Sequence, residues 1–316
     1  MAENNQQVST ELLDLNSPLI PIDQVSKSDP MNFIIDGVQK TIFFSSGKYY
    51  LADGRCHHRN MKLEHATICH QDQTLICPYH GKKNKAQVEL VLKWGFLWMK
   101  DPASFFQNIP EDYIFCGSRS VELPAPFHVV VDNFNEGSHT PFVHRFTGPE
   151  ISQIDQAQFR WMKNDNCVDI YYSTPQKKNL LFYGLNWNRQ IQWDIHWQTF
   201  ASPMYMKYYS EWSDQKTKKK LLEENITYFF LVPVDKKTTR IIPFVFVKPL
   251  SWLRFLPFLV KKISMVMTIN QINEDLRFYP KISDLPIEIE HLNLDQYDQP
   301  LLEIRRRAKS IYQKYF

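Results

Sequence analysis

Two groups of residues in this chain have the types and spacing to hold metals. Cys56-His57-His58 is followed by Cys77-Pro78-Tyr79-His80, so a Cys-x-His pair and a Cys-x-x-His pair each offer a thiolate and an imidazole. A tetrahedral zinc ion accepts such a Cys₂His₂ set. So does a [2Fe–2S] centre in which two histidines replace two cysteines on one iron, and composition alone does not separate the two. Further on, the stretch from Asn133 to His144 holds Glu136-x-x-His139 and then His144. On a helix Glu136 and His139 share a face, whereas His139 and His144 diverge by about 140°, and Pro141 between them predicts a distortion. Two histidines and a distant carboxylate make the facial triad that leaves positions open on non-heme Fe(II) for oxygen chemistry. His65, His70, Cys69, Cys116 and Cys167 stand outside both patterns and read as buried or surface residues without a ligand role.

The elements that must position these groups are mostly strands. Residues 33–51 alternate and turn as a hairpin, with Ser45-Ser46-Gly47 at the bend. The Gly-punctuated β character runs on to Trp98, after which Pro102, Pro110, Pro124 and Pro126 mark connecting segments. This places a domain boundary near residue 110, giving 1–110 and 111–316. Between 185 and 198 the apolar residues Leu185, Trp187, Ile191, Trp193, Ile195 and Trp197 fall on odd positions and polar ones fill the even positions, a period-two strand whose aromatic face reads as core. Tyr228 to Val234 and Arg240 to Val247 read as further antiparallel strands. Met265, Ile269, Ile272, Leu276 and Tyr279 would form one apolar face of a helix over 265–279, with Asp275 on its margin and Glu274 nearly opposite.

The chain of 316 residues is 43% hydrophobic and carries a net charge of +3. That excludes disorder, collagen and coiled coil, and it gives little electrostatic reason to expect nucleic acid; the run Lys216 and Lys218 to Lys220 reads as a solvated loop. No segment offers about 18 consecutive apolar residues, and charges and prolines interrupt Ile241 to Met267, so a strand followed by an amphipathic helix is expected rather than membrane contact. The polar N-terminus has no apolar leader core, which predicts a cytoplasmic protein. Five cysteines point to ligands or buried thiols, not a disulfide framework.

The cysteine and histidine pairs, written here as Cys56-x-His58-Arg59 and Cys77-Pro78-Tyr79-His80-Gly81, resemble the Rieske iron–sulfur motif of the oxygenase branch. By that resemblance Cys56 and Cys77 hold one iron, and His58 and His80 the other. The respiratory branch pairs a disulfide from positions matching Met61 and Tyr79, and neither is Cys here. Lys82 stands where relatives usually have Trp. The segment 133–144 resembles the mononuclear-iron motif of Rieske non-heme iron oxygenases, which makes His139 and His144 iron ligands. The family's third ligand is an aspartate far toward the C-terminus, here sought in Ile272-Asn273-Glu274-Asp275-Leu276; its place beside the apolar face selects Asp275. Glu136 matches the family's bridging carboxylate, usually Asp, which joins an iron-bound His to a cluster-bound His of a neighbouring subunit, with His139 and His80 the expected partners. Asn133 matches a polar residue near the iron.

The resemblance covers nearly the whole chain and implies an α+β protein: an all-β Rieske domain, then a catalytic domain with a large antiparallel sheet and flanking helices. It implies a short, single-subunit catalytic chain of the monooxygenase and demethylase kind. Such a protein uses O₂ and electrons from NAD(P)H to hydroxylate, dealkylate or otherwise oxidise a small organic substrate at a mononuclear Fe(II). No Gly-rich nucleotide fingerprint is present in a chain with nine Gly, so the reductase is a separate protein, with or without a ferredoxin. A homotrimer is implied, because relatives pass electrons between neighbouring chains. The competing readings are an electron carrier without oxygenase turnover and a zinc-stabilised binding protein.

Overall fold

The computed structural model describes residues 16–35, 38–179, 188–221, 224–249 and 255–316. The chain divides into two compact units, Met1–Pro102 and Ala103–Phe316, where the prolines had suggested a division near 110. Aromatic packing assigns the intervening residues. In α1 (Ala103–Phe106) the rings of Phe105 and Phe106 lie 4.7 to 5.5 Å from those of Tyr205, Tyr228, Phe230, Phe244 and Phe246, all on strands of the second unit.

The strands of the first unit are β1 (Pro18–Pro21), β2 (Met31–Ile35), β3 (Val38–Ser45), β4 (Lys48–Asp53), β5 (Thr67–Cys69), β6 (Thr74–Ile76), β7 (Lys83–Lys85), β8 (Val88–Lys93) and β9 (Phe96–Trp98). They form an antiparallel sheet in the order β1, β9, β8, β4, β3, β2 and a smaller one in the order β5, β6, β7. The expected turn between β3 and β4 closes on Ser46 (φ 49°) and Gly47 (φ 83°), the left-handed pair that a two-residue type I′ hairpin requires. A turn at Gly37 lies outside the described residues. Ile42 and Phe43 are both fully buried yet point to opposite faces. Ile42 packs with Leu51, Leu90 and Leu97. Phe43 packs with Ala52, Leu63, Leu75 and the two cysteines Cys56 and Cys77, so the second face of the sheet is what holds the cysteine loops.

The second unit contains β10 (Ile114–Ser118), β11 (Val121–Leu123), β12 (Gln158–Lys163), β13 (Cys167–Pro175), β14 (Ile191–Ala201), β15 (Met204–Asp214), β16 (Glu224–Asp235) and β17 (Thr238–Lys248). They build one antiparallel sheet in the order β10, β17, β16, β15, β14, β13, β12, with β11 also on β17. The helices are α2 (Phe127–Asn133), α3 (Thr140–Val143), α4 (Pro257–Asp275), α5 (Tyr279–Ile282) and α6 (Gln299–Tyr312). The α+β class expected from the sequence is what the chain adopts. Of the alternating strand expected over 185–198, Ile191 onward is β14, while Leu185 and Trp187 lie outside the described residues. α6 fixes α2 through a buried ion pair: Arg305 Nε donates to Asp132 Oδ1 at 2.8 Å and Nη2 to Oδ2. Asp132 in turn offers its backbone carbonyl to Asn135 N and Glu136 N at 2.8 and 3.0 Å, which starts the turn leading to the histidines. No helix among the described residues is long and apolar enough to cross a membrane.

Candidate metal centres

In the first unit the two Cys/His segments form matching loops. Cys56 N donates to Met61 O, and Asn60 N returns to Cys56 O; Cys77 N donates to Lys82 O, and Gly81 N returns to Cys77 O, all at 2.8 to 2.9 Å. The residue closing each loop is left-handed, Asn60 at φ 56° and Gly81 at φ 66°, a conformation these two residue types tolerate. Both sulfurs are buried while His58 and His80 are exposed, their ring centroids 4.8 Å apart. Thiolates inside and imidazoles outside is the arrangement a cluster needs if one iron is anchored and the other faces out. Burial works against a thiolate at Cys56, but the backbone N–H of His58, the Asn84 amide, Cys77 and the N–H of Arg59 direct hydrogen bonds at the sulfur and hold the thiol below its ordinary value.

Asn84 joins the two loops and was not foreseen. Its Oδ1 accepts from His57 N at 3.2 Å and lies 2.9 Å from His57 Nδ1. Its Nδ2 donates to Lys82 O at 3.0 Å and approaches Cys56 Sγ at 3.6 Å. Lys82, the departure from the family pattern, takes part only through its backbone carbonyl, so the absent Trp side chain costs the loop none of these bonds. Among the residues set aside earlier, His70 Nδ1 meets Ser45 Oγ at 3.1 Å, and Cys69, Cys116 and Cys167 form no disulfide.

In the second unit His139, His144 and Asp275 come together. A continuous helix would have driven the two histidines apart. Instead the chain leaves α2 at Asn133, turns, and begins α3 afresh at Thr140 with Pro141 in its first turn, so that His139 and His144 sit at its two ends. Their Nε2 atoms are 3.3 Å apart, and Asp275 Oδ1 is 3.7 Å from each. A point equidistant from these three atoms lies about 2.1 Å from each, a first-row metal–ligand bond length. Asp275 Oδ1 is buried and has no hydrogen-bond partner. Burial raises its carboxyl above the usual carboxylate range, against the attraction of His144 and His139. An orphaned carboxylate oxygen between two imidazole nitrogens fits a bound cation and is otherwise costly.

Each imidazole of this triad has its outer nitrogen held by a carboxylate. His139 Nδ1 donates to Glu136 Oε1, and Glu136 Oε2 accepts from Ser138 N at 2.8 Å, from Ser138 Oγ and from His139 N at 3.2 Å. Glu136 therefore reaches His139 from a turn, not from a shared helix face. His144 Nδ1 donates to Glu274 Oε2 at 3.2 Å, which also accepts Arg145 N at 3.2 Å. The helical-face reading had turned Glu274 away from the site; in the structure it grips the second histidine while Asp275 completes the triad. The signal for it was available, because a metallated imidazole leaves one N–H that needs an acceptor. Asn133 Nδ2 is 3.2 Å from His139 Nε2.

A cavity of about 490 Å³ opens over the triad, between α4 and the sheet. Trp193, Ile195 and Trp197 line it, and Trp193 and Trp197 are also buried in the core of the second unit with Ile195 packed against it, so the aromatic face of β14 is core, as its alternation suggests, and cavity wall as well. Period two reports that a face is covered but not what covers it. The even positions are also engaged: His196 and Gln198 both bond the buried Asp169 at 2.9 Å. Tyr208 donates its hydroxyl to Phe134 O. Burial, with the Asp275 charge adding to it, pushes the phenols of Tyr208 and Tyr279 well above their ordinary value, so both stay neutral.

Residues 16–91 match the family described as the Rieske [2Fe-2S] domain. No curated protein matches the chain by sequence. Among solved structures, dicamba monooxygenase bound to dicamba is similar over 95% of this chain and 98% of its own, at 14% identity and a TM-score of 0.69. The NdmA QL mutant of Pseudomonas putida CBB5 with caffeine is similar over 94% and 90%, at 15% identity and a TM-score of 0.63. NdmB of the same organism gives 93% and 89%, 16% and 0.62. The fold is that of Rieske oxygenase catalytic subunits, with the Rieske domain first and the helix-flanked sheet second.

Proposed function

We propose that this protein is a Rieske-type oxygenase that hydroxylates, dealkylates or otherwise oxidises a small organic substrate. The observation that carries the reading is the orphaned Asp275 carboxylate between His139 and His144 at an apolar cavity, in a chain that also has a Rieske domain. Cys56, Cys77, His58 and His80 would hold the [2Fe–2S] cluster, and His139, His144 and Asp275 the Fe(II). When bound, the cluster supplies single electrons and the ferrous ion supplies open positions for O₂. The electron pair comes from NAD(P)H through a separate reductase, with or without a ferredoxin.

The chain's own residues have distinct tasks. Glu136 and Glu274 orient the two imidazoles and keep the proton on their outer nitrogens. Asn133, beside His139 Nε2, can hold a water or oxygen-bearing group near the metal position. The apolar walls exclude bulk water. In a homotrimer the exposed His80 of one protomer would meet Glu136 of the next; Glu136 Oε1 accepts one bond within its own chain and keeps a lone pair for a second.

The test is iron, zinc and acid-labile sulfide on anaerobically purified protein. About three iron with about two sulfide per chain supports the oxygenase. About two iron with about two sulfide that cannot be raised by added Fe(II) favours an electron carrier, and zinc without sulfide overturns both metal assignments.

A further inference from the structure

The polar groups of the cavity wall divide into those already engaged and those left over. Trp212 Nε1 donates to Gln176 Oε1 at 3.2 Å, Gln271 Nε2 to Thr147 Oγ1 at 3.1 Å, and Thr268 Oγ1 to Ser264 O at 2.9 Å. Tyr208 is bound to Phe134 O. Left without a side-chain partner among the described residues are the hydroxyls of Ser210 and Thr227 and the amide of Asn225 on the sheet. The indole N–H groups of Trp193 and Trp197 are also buried without a partner. Ser210 and Thr227 are only 5% and 6% exposed, and buried polar groups in proteins are rarely left unpaired.

Strand register shows how they are arranged. Ile195 pairs with Ser210, Ser210 with Asn225 and Asn225 with Val247, giving one rung across β14, β15, β16 and β17. The neighbouring rung toward the triad runs Trp197, Tyr208, Thr227, Val245; Tyr208 there feels the charges of Asp275 and Glu136. On the other side Trp193 stacks on Trp212, with ring centroids 6.1 Å apart and planes 8° apart. Ser210 and Asn225 are thus adjacent polar side chains between two aromatic rungs, one strand repeat, about 7 Å, farther from the triad than Tyr208. Charge is distributed differently. No described residue lining the cavity is Lys or Arg, while two carboxylates, Glu136 and Asp275, do line it.

We infer that the cavity selects a neutral, mainly apolar molecule carrying a hydroxyl, carbonyl or amide group, and that Ser210 and Asn225 hold that group. This deepens the oxygenase reading and rests on it for the fate of the bound molecule. The apolar body fills the space between the aromatic rungs and α4. Its polar group satisfies Ser210 and Asn225, which sets which carbon faces the triad. A carboxylate in the same place would be buried with no cation to pair it and with two anions nearby. Selectivity follows because a site built to hydrogen-bond a group rejects the analogue lacking it.

The test uses three probes of one skeleton, indane, 2-indanol and indane-2-carboxylate, titrated calorimetrically into the iron- and sulfide-loaded protein. One added hydrogen bond predicts about fivefold tighter binding of 2-indanol than of indane, and the carboxylate should bind about 100-fold more weakly than 2-indanol. The Ser210→Ala/Asn225→Leu variant should bring 2-indanol to the affinity of indane and leave indane within about twofold. The single Ser210→Ala variant, which removes one oxygen only, should show a partial loss and guards against misfolding of the double variant. A carboxylate that binds as tightly as the alcohol, an alcohol preference that survives in the double variant, or no binding of indane and 2-indanol to the loaded wild type overturns the inference. Binding is read without turnover. The expected ranking in a protein that oxidises nothing when given reductant and O₂ upholds this inference while the oxygenase reading falls.

Discussion

Glu274→Ala should weaken iron binding without touching the cluster. The carboxylate accepts His144 Nδ1–H and Arg145 N–H at 3.2 Å each, so it fixes both the ring of the ligand and the backbone just after it. His144 is the last residue before the chain leaves α3 in an extended conformation (φ −89°, ψ 125°), and no other described side chain is bonded to its Nδ1. Loss of the acceptor lets the ring turn and move Nε2 out of a triangle whose sides are 3.3, 3.7 and 3.7 Å. Removing such a support costs about 10- to 100-fold in metal affinity, equivalent to about 1.4 to 2.8 kcal/mol. Glu274→Gln, which keeps an acceptor oxygen of the same reach, should recover most of it. The assay is competition for Fe(II) against a chelator of known affinity, with sulfide content measured in parallel. An Fe(II) affinity within about threefold of wild type in Glu274→Ala would refute the role assigned to Glu274.

Two further substitutions probe the supports of the sites. Asn84→Ala removes the bridge between the cysteine loops, leaving His57 N–H without its acceptor and Lys82 O with Cys77 N as its remaining donor; at about 1–3 kcal/mol for an unmade bond, the variant should lose sulfide faster than wild type on incubation with a chelator, and equal loss rates would contradict the bridging role. Asp132→Ala leaves the buried Arg305 without its counter-ion and should cost about 3–5 kcal/mol of stability, read as a lower denaturant midpoint for the second unit. A midpoint unchanged from wild type would show that the pair does not anchor α2.

How far the sequence disclosed these features depended on whether the signal was local. The cysteine and histidine pairs, the Ser46–Gly47 hairpin and the His139/His144 pair are short motifs recognisable from their own residues and spacing. Asp275 was reachable because the family resemblance directs the search to 272–276 and its place beside an apolar helical stripe selects it there. Glu274, its neighbour, was misjudged by the same helical reasoning: a glutamate has enough reach to leave its own helix face and bond a histidine 130 residues away. Asn84 gave no signal at all, since a polar residue in a short strand looks solvated until the tertiary fold places it between two loops. The face of β14 shows the limit of periodicity most plainly. Trp193, Ile195 and Trp197 read as core, which Trp193 and Trp197 are, but alternation carries no sign that the same face also borders a cavity lined on its other side by residues between 256 and 275.

The most direct test of the central claim is iron and acid-labile sulfide in Asp275→Ala beside the wild type. The variant keeps both cysteine loops and removes a buried carboxylate oxygen that has no hydrogen-bond partner among the described residues. The account predicts that iron falls from about three to about two per chain, with sulfide unchanged at about two. Retention of all the iron by a folded Asp275→Ala protein would contradict the assignment of His139, His144 and Asp275 as a metal site.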